Sequence, residues 1–414
     1  MNPRIKKQVL VFMLAPPLPA VAGGDIYAIN ALLPFADEID YHLFCFIGGD
    51  EDVRKVAKHR AQYEAVFRSV HLEPRPPMPF QLGRWRRALH LIFHAIRGLP
   101  FIDASYCSGS ALSVARRIVR EKSIDALEVN SAHLAFFRKY IDLPAILVGH
   151  NIESDIFPFW IPVGLRGWKL RLVEWIAARS RRAAHAVEID NAFGFRAMTF
   201  ISPHDMQRVT ADVPKLLMPL YFRKRPVPYR DKPLDRFNVL WMGGFGWYPN
   251  AEGIDWFVRQ IFPHLAGRLE SANVCLHFCG GNPPDGLRAL HDGVRVFVYG
   301  FIEDIDAMLG DAHLLMVPLL TGGGIRVKII EAMSSGVPVL STSKGCEGIA
   351  VQNGVDIIMC DEAATFADQI ILAAEQPARM GEIAAAGLAL MARCYSESAS
   401  LAAKRKAYSL AGVL

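Results

Sequence analysis

Short apolar runs rich in β-branched residues alternate with amphipathic stretches along nearly the whole chain. This alternation limits the fold more than any other feature of the sequence. A strand that is apolar at every position, rather than at every second one, has to be covered on both faces. Helical patterns between such strands supply the cover, so the pattern predicts parallel sheets sandwiched by helices. In the first half the expected strands are 9–14, 41–47, 70–73, 125–130, 145–149 and 197–201. In the second they are 239–243, 274–279, 295–301, 314–318 and 337–341, with helices expected over 251–269 and 364–375 among others.

Between the halves, "FRKRPVPYRDKPLDRF" at 222–237 is charged, rich in proline and without apolar period, as a linker would be. A chain of 414 residues also exceeds one ordinary core. The fold class is therefore α/β: two doubly wound Rossmann-like domains, 1–222 and 237–395, joined by a linker at 223–236 and flanking a cleft. The remainder, 396–414, reads as a C-terminal helix expected to pack back on the N-terminal domain. Ligands in such sheets bind beyond the carboxyl ends of the strands.

Composition narrows the function less than the pattern narrows the fold. The net charge of +5 suits an anionic small ligand or a membrane surface and is too weak to argue for nucleic acid. Seven cysteines, an odd number placed mostly in apolar runs, read as reduced thiols of a cytosolic protein. The opening "MNPRIKKQVLVFMLAPPLPAVAGG" has too short an apolar run for a signal peptide. No apolar stretch approaches the roughly 20 residues that cross a bilayer. A cytoplasmic protein is expected. One stretch, "GRWRRALHLIFHAIRGLPF" at 83–101, interleaves Arg84, Arg86, Arg87 and Arg97 with apolar residues. It reads as a basic amphipathic helix, either core-facing with a solvated basic side or in peripheral contact with anionic lipid at the inner face of a membrane.

The site signal is "TGGGIRVKIIEAMSSGVPVLST" at 321–342. An apolar strand, "LLMVPLL", runs into Gly322, Gly323 and Gly324, and a helical pattern follows. Glycines there let the backbone approach a ligand, and the unpaired amides of the first helical turn face it. Arg326 and Lys328 fall near that N-terminus, where cations oppose the helix dipole. A bound anion such as a phosphate reverses the penalty; without one, the stretch is a tight turn with two solvated cations.

This stretch resembles the donor-binding segment of GT-B glycosyltransferases, family 4 in particular. Members carry two glutamates separated by seven residues, then Ala-Met, a small-residue turn and a Pro-Val run. Glu331 matches the second glutamate, and the first falls on Gly323. The resemblance implies that Glu331 accepts hydrogen bonds from the ribose hydroxyls of a nucleotide. A second stretch, "NVLWMGGFGWYPNAEGIDWFVRQIFPHL" at 238–265, resembles the first strand and helix of the same domain. There many members place an Arg and a Lys that clamp the diphosphate, but here Gly244 follows Gly243 and 250–253 contain no lysine. Arg326 and Lys328 are expected to take over that clamp. In the first domain, Gly23 and Gly24 match the glycine loop that faces the donor across the cleft, and "LVGHNIESD" resembles the segment whose His150 contacts the transferred sugar.

What the resemblance implies is a metal-independent enzyme without a cofactor, moving a sugar from a nucleotide-diphosphate sugar to a glycan or lipid-linked acceptor with retention. The first domain would be acceptor-side and the second nucleotide-sugar-binding. Polysaccharide or glycoconjugate biosynthesis is the implied setting. With Gly323 in place of the first glutamate, a non-catalytic GT-B module that binds nucleotide or glycan for a partner enzyme stays open. Two D-x-D patterns, Asp50–Asp52 and Asp304–Asp306, could hold a metal in a different glycosyltransferase fold, but both precede helical runs, where acidic residues belong. The glycine fingerprint of a dinucleotide oxidoreductase does not follow the first strand.

Overall fold

The structure, a computed structural model, describes residues 6–20, 23–75, 106, 108–152, 167–233, 235–302 and 304–414. The basic amphipathic stretch 83–101 lies outside the described residues. The chain divides into two compact units, Met1–Met218 with Ser398–Leu414, and Pro219–Glu397.

Unit 1 is built on a parallel seven-stranded sheet. Its strands are β1 (Lys7–Met13), β2 (Ile39–Ile47), β3 (Phe67–Pro74), β4 (Ala126–Asn130), β5 (Ala145–Gly149), β6 (Ala197–Phe200) and β7 (Lys215–Leu217). They lie in the order β3-β2-β1-β4-β5-β6-β7. β1 and β4 are central and buried on both faces; the apolar run of β1 requires it, whereas β4 carries Glu128 and Asn130 inward. Edge strand β3 keeps only its first residue fully buried.

The helix Glu397–Leu410 closes onto unit 1 through a charge taken out of water. Lys404 Nζ donates to Glu128 Oε1 on β4 at 2.6 Å, with both side chains essentially unexposed. Asn130 Nδ2 donates to the same oxygen at 3.1 Å, and the Tyr408 hydroxyl donates to Oε2. Both carboxylate oxygens are thereby hydrogen-bonded, which is the condition for tolerating a buried ion pair.

Unit 2 repeats the architecture with β8 (Phe237–Met242), β9 (Val274–Cys279), β10 (Val296–Val298), β11 (Leu314–Val317), β12 (Val339–Ser341) and β13 (Ile358–Met359). The order is β10-β9-β8-β11-β12-β13, again all parallel. The helix after β8 starts at Tyr248 and ends at Leu265, with a π turn at Phe257–Ile261. Pro263 accounts for that turn: it has no N–H for the carbonyl four residues back, and its ring would collide with it.

The segment that reads as a linker packs on unit 2. Lys232 is buried, and its Nζ donates to the carbonyls of Leu309, Gly310 and Ala312 at 3.1, 2.8 and 2.6 Å. Those carbonyls end the helix Ile305–Asp311, where a cation is favoured. Burial pushes the Lys232 ammonium down to about 8, with Asp311 opposing the shift. Lys232 holds this segment together with Tyr229 and Phe222, which pack against the cores of unit 2.

Candidate functional site

The strand order of unit 2 reverses between β8 and β11, which are hydrogen-bonded neighbours. Crevices beyond the carboxyl ends of strands at such a point are where ligands bind in this architecture. Gly243 and Gly244 leave β8 there, and 318–326 leave β11. Both glycine motifs of unit 2 therefore meet at one place.

Gly243 sits at φ 151°, and a Cβ on it would come within 2.8 Å of both Lys328 Nζ and Asn250 Nδ2. The contact shows that Lys328 lies directly against the β8 turn. Asn250 joins the two sides. Its Oδ1 accepts from Lys328 Nζ at 3.0 Å, and its Nδ2 donates to Gly244 O at 2.9 Å. Asn250 is itself buried at the start of the helix Tyr248–Trp256. The sequence offered only its place after Pro249 as a signal; a contact made 78 residues away could not be read from it.

The helix carrying the cations is Val327–Ser334, so Arg326 is its N-cap and the helical pattern starts two residues later than Ile325. Its core face is Ile329, Ile330, Ala332 and Met333, all fully buried. Lys328 Nζ lies 4.7 Å from the centre of the Trp241 ring. Burial, with Arg326 adding repulsion, pushes its ammonium down to about 7.

Arg326 is 3% exposed. Its Nη1 donates to Gly323 O, and the Trp247 ring lies 5.4 Å from its guanidinium carbon. Nε and Nη2 are buried with no hydrogen-bond partner among the described residues. Gly322, at φ 115°, makes room for this guanidinium: a Cβ there would sit 2.7 Å from Nη2. Burial lowers the Arg326 pKa from its usual value, with Glu347 opposing. Unsatisfied buried donors cost free energy. Two adjacent cations with unused donors, beside glycine turns at a strand-order reversal, form an arrangement that can accept an oxyanion.

Glu331 lies one turn further along the helix and is already engaged. Its Oε1 accepts from Lys224 Nζ at 2.9 Å, with both side chains 13% exposed. Lys224 also donates to Asp306. The sequence offers no sign of this pair, because Lys224 lies within the charged linker pattern.

In unit 1, Gly23 and Gly24 form the first turn of the helix Gly23–Leu32. His150 follows β5, and a Cβ on Gly24 would lie 3.2 Å from its Nδ1. The Tyr27 ring meets the His150 ring edge-on at 5.3 Å. The structure thus brings Gly24 and His150 together within this unit. The D-x-D residues serve helix starts: Asp304 Oδ1 accepts from Ala307 N at 3.1 Å, and Asp52 accepts from Gly48 N. Among the described residues no group of three or more His, Cys, Asp or Glu could hold a metal ion. Among them, too, no helix is long and apolar enough to cross a membrane.

Comparison with known proteins agrees with this fold. Anabaena HepE, solved with UDP and glucose, superposes with a TM-score of 0.63 at 14% identity, covering 97% of this chain and 99% of that one. Sucrose-phosphate synthase from Thermosynechococcus elongatus gives a TM-score of 0.67 at 16% identity, over 99% and 100% of the two chains. A 44.6 kDa protein in the cps region of Klebsiella pneumoniae is 26% identical over 168 residues, 38% of this chain and 42% of that one. The chain spans less than half the length of the curated relatives it matches. Two parallel Rossmann-like units in this arrangement of strands are the GT-B fold, and residues 236–376, which carry the cation site, match the family model described as glycosyl transferases group 1.

Proposed function

We propose that this chain is a glycosyltransferase that moves a sugar from a nucleoside-diphosphate sugar to a glycan or lipid-linked acceptor in polysaccharide or glycoconjugate biosynthesis. The observation that carries the reading is the Arg326 guanidinium: buried, beside Lys328, with two nitrogens lacking partners. A diphosphate supplies acceptors for those donors and charge for both cations. HepE, solved with UDP-glucose, supports a nucleotide sugar as the donor.

In this reading Arg326, Lys328 and the amides of 322–324 stabilise the negative charge that grows on the leaving diphosphate. Donors fixed before reaction need no reorganisation as that charge develops. The two side chains do the neutralising that a divalent metal does elsewhere, so transfer should proceed without one. Gly243 and Gly244 keep the opposite wall open to the phosphates, and Glu331 accepts from the ribose hydroxyls. His150, beside Gly24, hydrogen-bonds the transferred sugar, and the product retains the anomeric configuration of the donor.

A panel of UDP-, GDP-, ADP- and dTDP-sugars tests the reading, with release of nucleoside diphosphate measured in the presence of EDTA. At least one donor should be turned over by wild type and not by the Arg326→Ala, Lys328→Ala double variant. Nucleotide binding without turnover of any donor would favour the non-catalytic module that Gly323 leaves open. Failure to bind every nucleoside diphosphate would overturn both readings.

A further inference from the structure

We infer that Lys224 is a positioning residue of the nucleotide site: it holds the Glu331 carboxylate ready for the ribose hydroxyls of a nucleoside diphosphate. The inference rests on the proposed function above and adds to it a residue outside every motif of the site.

Lys224 enters from the segment with which the chain joins unit 2. Its neighbours hold it there without its help. Arg223 Nε donates to Glu397 Oε2 at 3.0 Å, and its Nη2 donates to Oε1. Lys232 fastens the same segment through three carbonyls. The ammonium of Lys224 is nearly enclosed, with the Phe222 ring 5.3 Å away. It spans 107 residues of sequence to reach Glu331 Oε1. Burial works against its charge, and hydrogen bonds to Asp306 and Glu331 outweigh that, holding the ammonium above its usual range. It therefore stays charged over the whole neutral range.

What such a contact does for binding follows from the chemistry of a carboxylate. A glutamate side chain has several rotatable bonds, and freezing them when the ligand arrives weakens affinity. Lys224 freezes them beforehand. It uses one lone pair of Oε1, which leaves Oε2 and the second lone pair of Oε1 to accept from two neighbouring hydroxyls. The group best served is a vicinal diol. A ligand lacking one hydroxyl would lose most of the benefit.

The experiment measures dissociation constants of full-length protein for UDP and 2′-deoxy-UDP, with GDP and 2′-deoxy-GDP alongside. Wild type should prefer the ribose form about tenfold or more, the size of one hydrogen bond to a charged group. Lys224→Met should weaken the ribose nucleotide by about that factor, leave the deoxy nucleotide nearly unchanged, and bring their ratio close to one. Lys224→Arg should restore part of the preference. A melting curve checks folding, and Lys224→Gln takes the same measurements if the Met variant does not fold. A merely structural lysine would weaken both nucleotides alike. Preference in wild type that survives intact in the variants overturns the role of Lys224 alone. A wild type that binds nucleotides without preferring ribose overturns the role of Glu331, and with it this inference. A wild type that binds none overturns the functional reading itself.

Discussion

Asn250 ties Lys328 to the glycine turn after β8, accepting from its ammonium at 3.0 Å and donating to Gly244 O at 2.9 Å. A neutral amide at this place orients the lysine without neutralising it, so the cation stays available to a ligand. A carboxylate of the same shape would do the opposite. Asn250→Asp gives the lysine a counter-charge but sets a carboxylate oxygen against Gly244 O, where the amide had donated, so the melting temperature of the empty protein should change little. The substitution should weaken nucleoside diphosphate binding at least tenfold, or about 1.4 kcal/mol. Calorimetry on both proteins decides it, and unchanged affinity would place the diphosphate away from Lys328.

Lys328 also makes the site sensitive to pH. Its folded pKa of about 7 lies below the ordinary lysine value, so the buried charge costs stability at any pH below about 7. That cost fades as pH rises from about 7 toward 10, where the unfolded chain also releases the proton. Stability of the empty protein should therefore rise over that window relative to Lys328→Met. A bound diphosphate should recharge the lysine, so binding at pH 8 should take up a fraction of a proton. Calorimetry in buffers of different ionisation enthalpy measures the uptake; equal heats in all buffers would refute it.

Gly322 connects backbone shape to the arginine. At φ 115°, with Arg326 Nη2 2.7 Å from the place of a Cβ, Gly322→Ala must both strain the turn and move the guanidinium. Strain of this kind is worth about 1–3 kcal/mol. We expect a modest loss of stability and a large loss of nucleoside diphosphate affinity, with binding of the free nucleoside little affected. Gly267→Ala, where a Cβ meets open space, serves as the reference and should change neither. Equal losses for nucleoside and diphosphate would mean that Arg326 does not touch phosphate.

Lys404 and Glu128 offer a test in unit 1. Removing either partner strands the other charge away from water, which costs about 3–5 kcal/mol. Lys404→Met and Glu128→Gln should each destabilise the protein by that order in urea unfolding. The double variant should recover much of the loss. Additive losses would show that the pair contributes no mutual interaction.

The sequence by itself determined the parallel two-unit architecture, because fully apolar runs such as "VLVF" at 9–12 can persist only where both faces of a sheet are covered. It also determined where to look for the site, since a Gly triplet between a buried strand and a helix carrying two cations is a local pattern. The edge strands β7 and β13 escaped it, being three and two residues long and too short to carry a period. The site helix starts two residues after its helical pattern does, because propensity does not register that Arg326 takes extended backbone as N-cap. Tertiary structure alone decided what the site residues touch. Asn250 against Lys328 and Lys224 against Glu331 are pairs 78 and 107 residues apart, and side-chain hydrogen bonds between such positions leave no periodicity along the chain. Only folding brings the charged segment before β8 onto the helix after β11. There burial turns a solvated lysine into one that holds a carboxylate, because an ammonium withdrawn from water must find its acceptors in the protein.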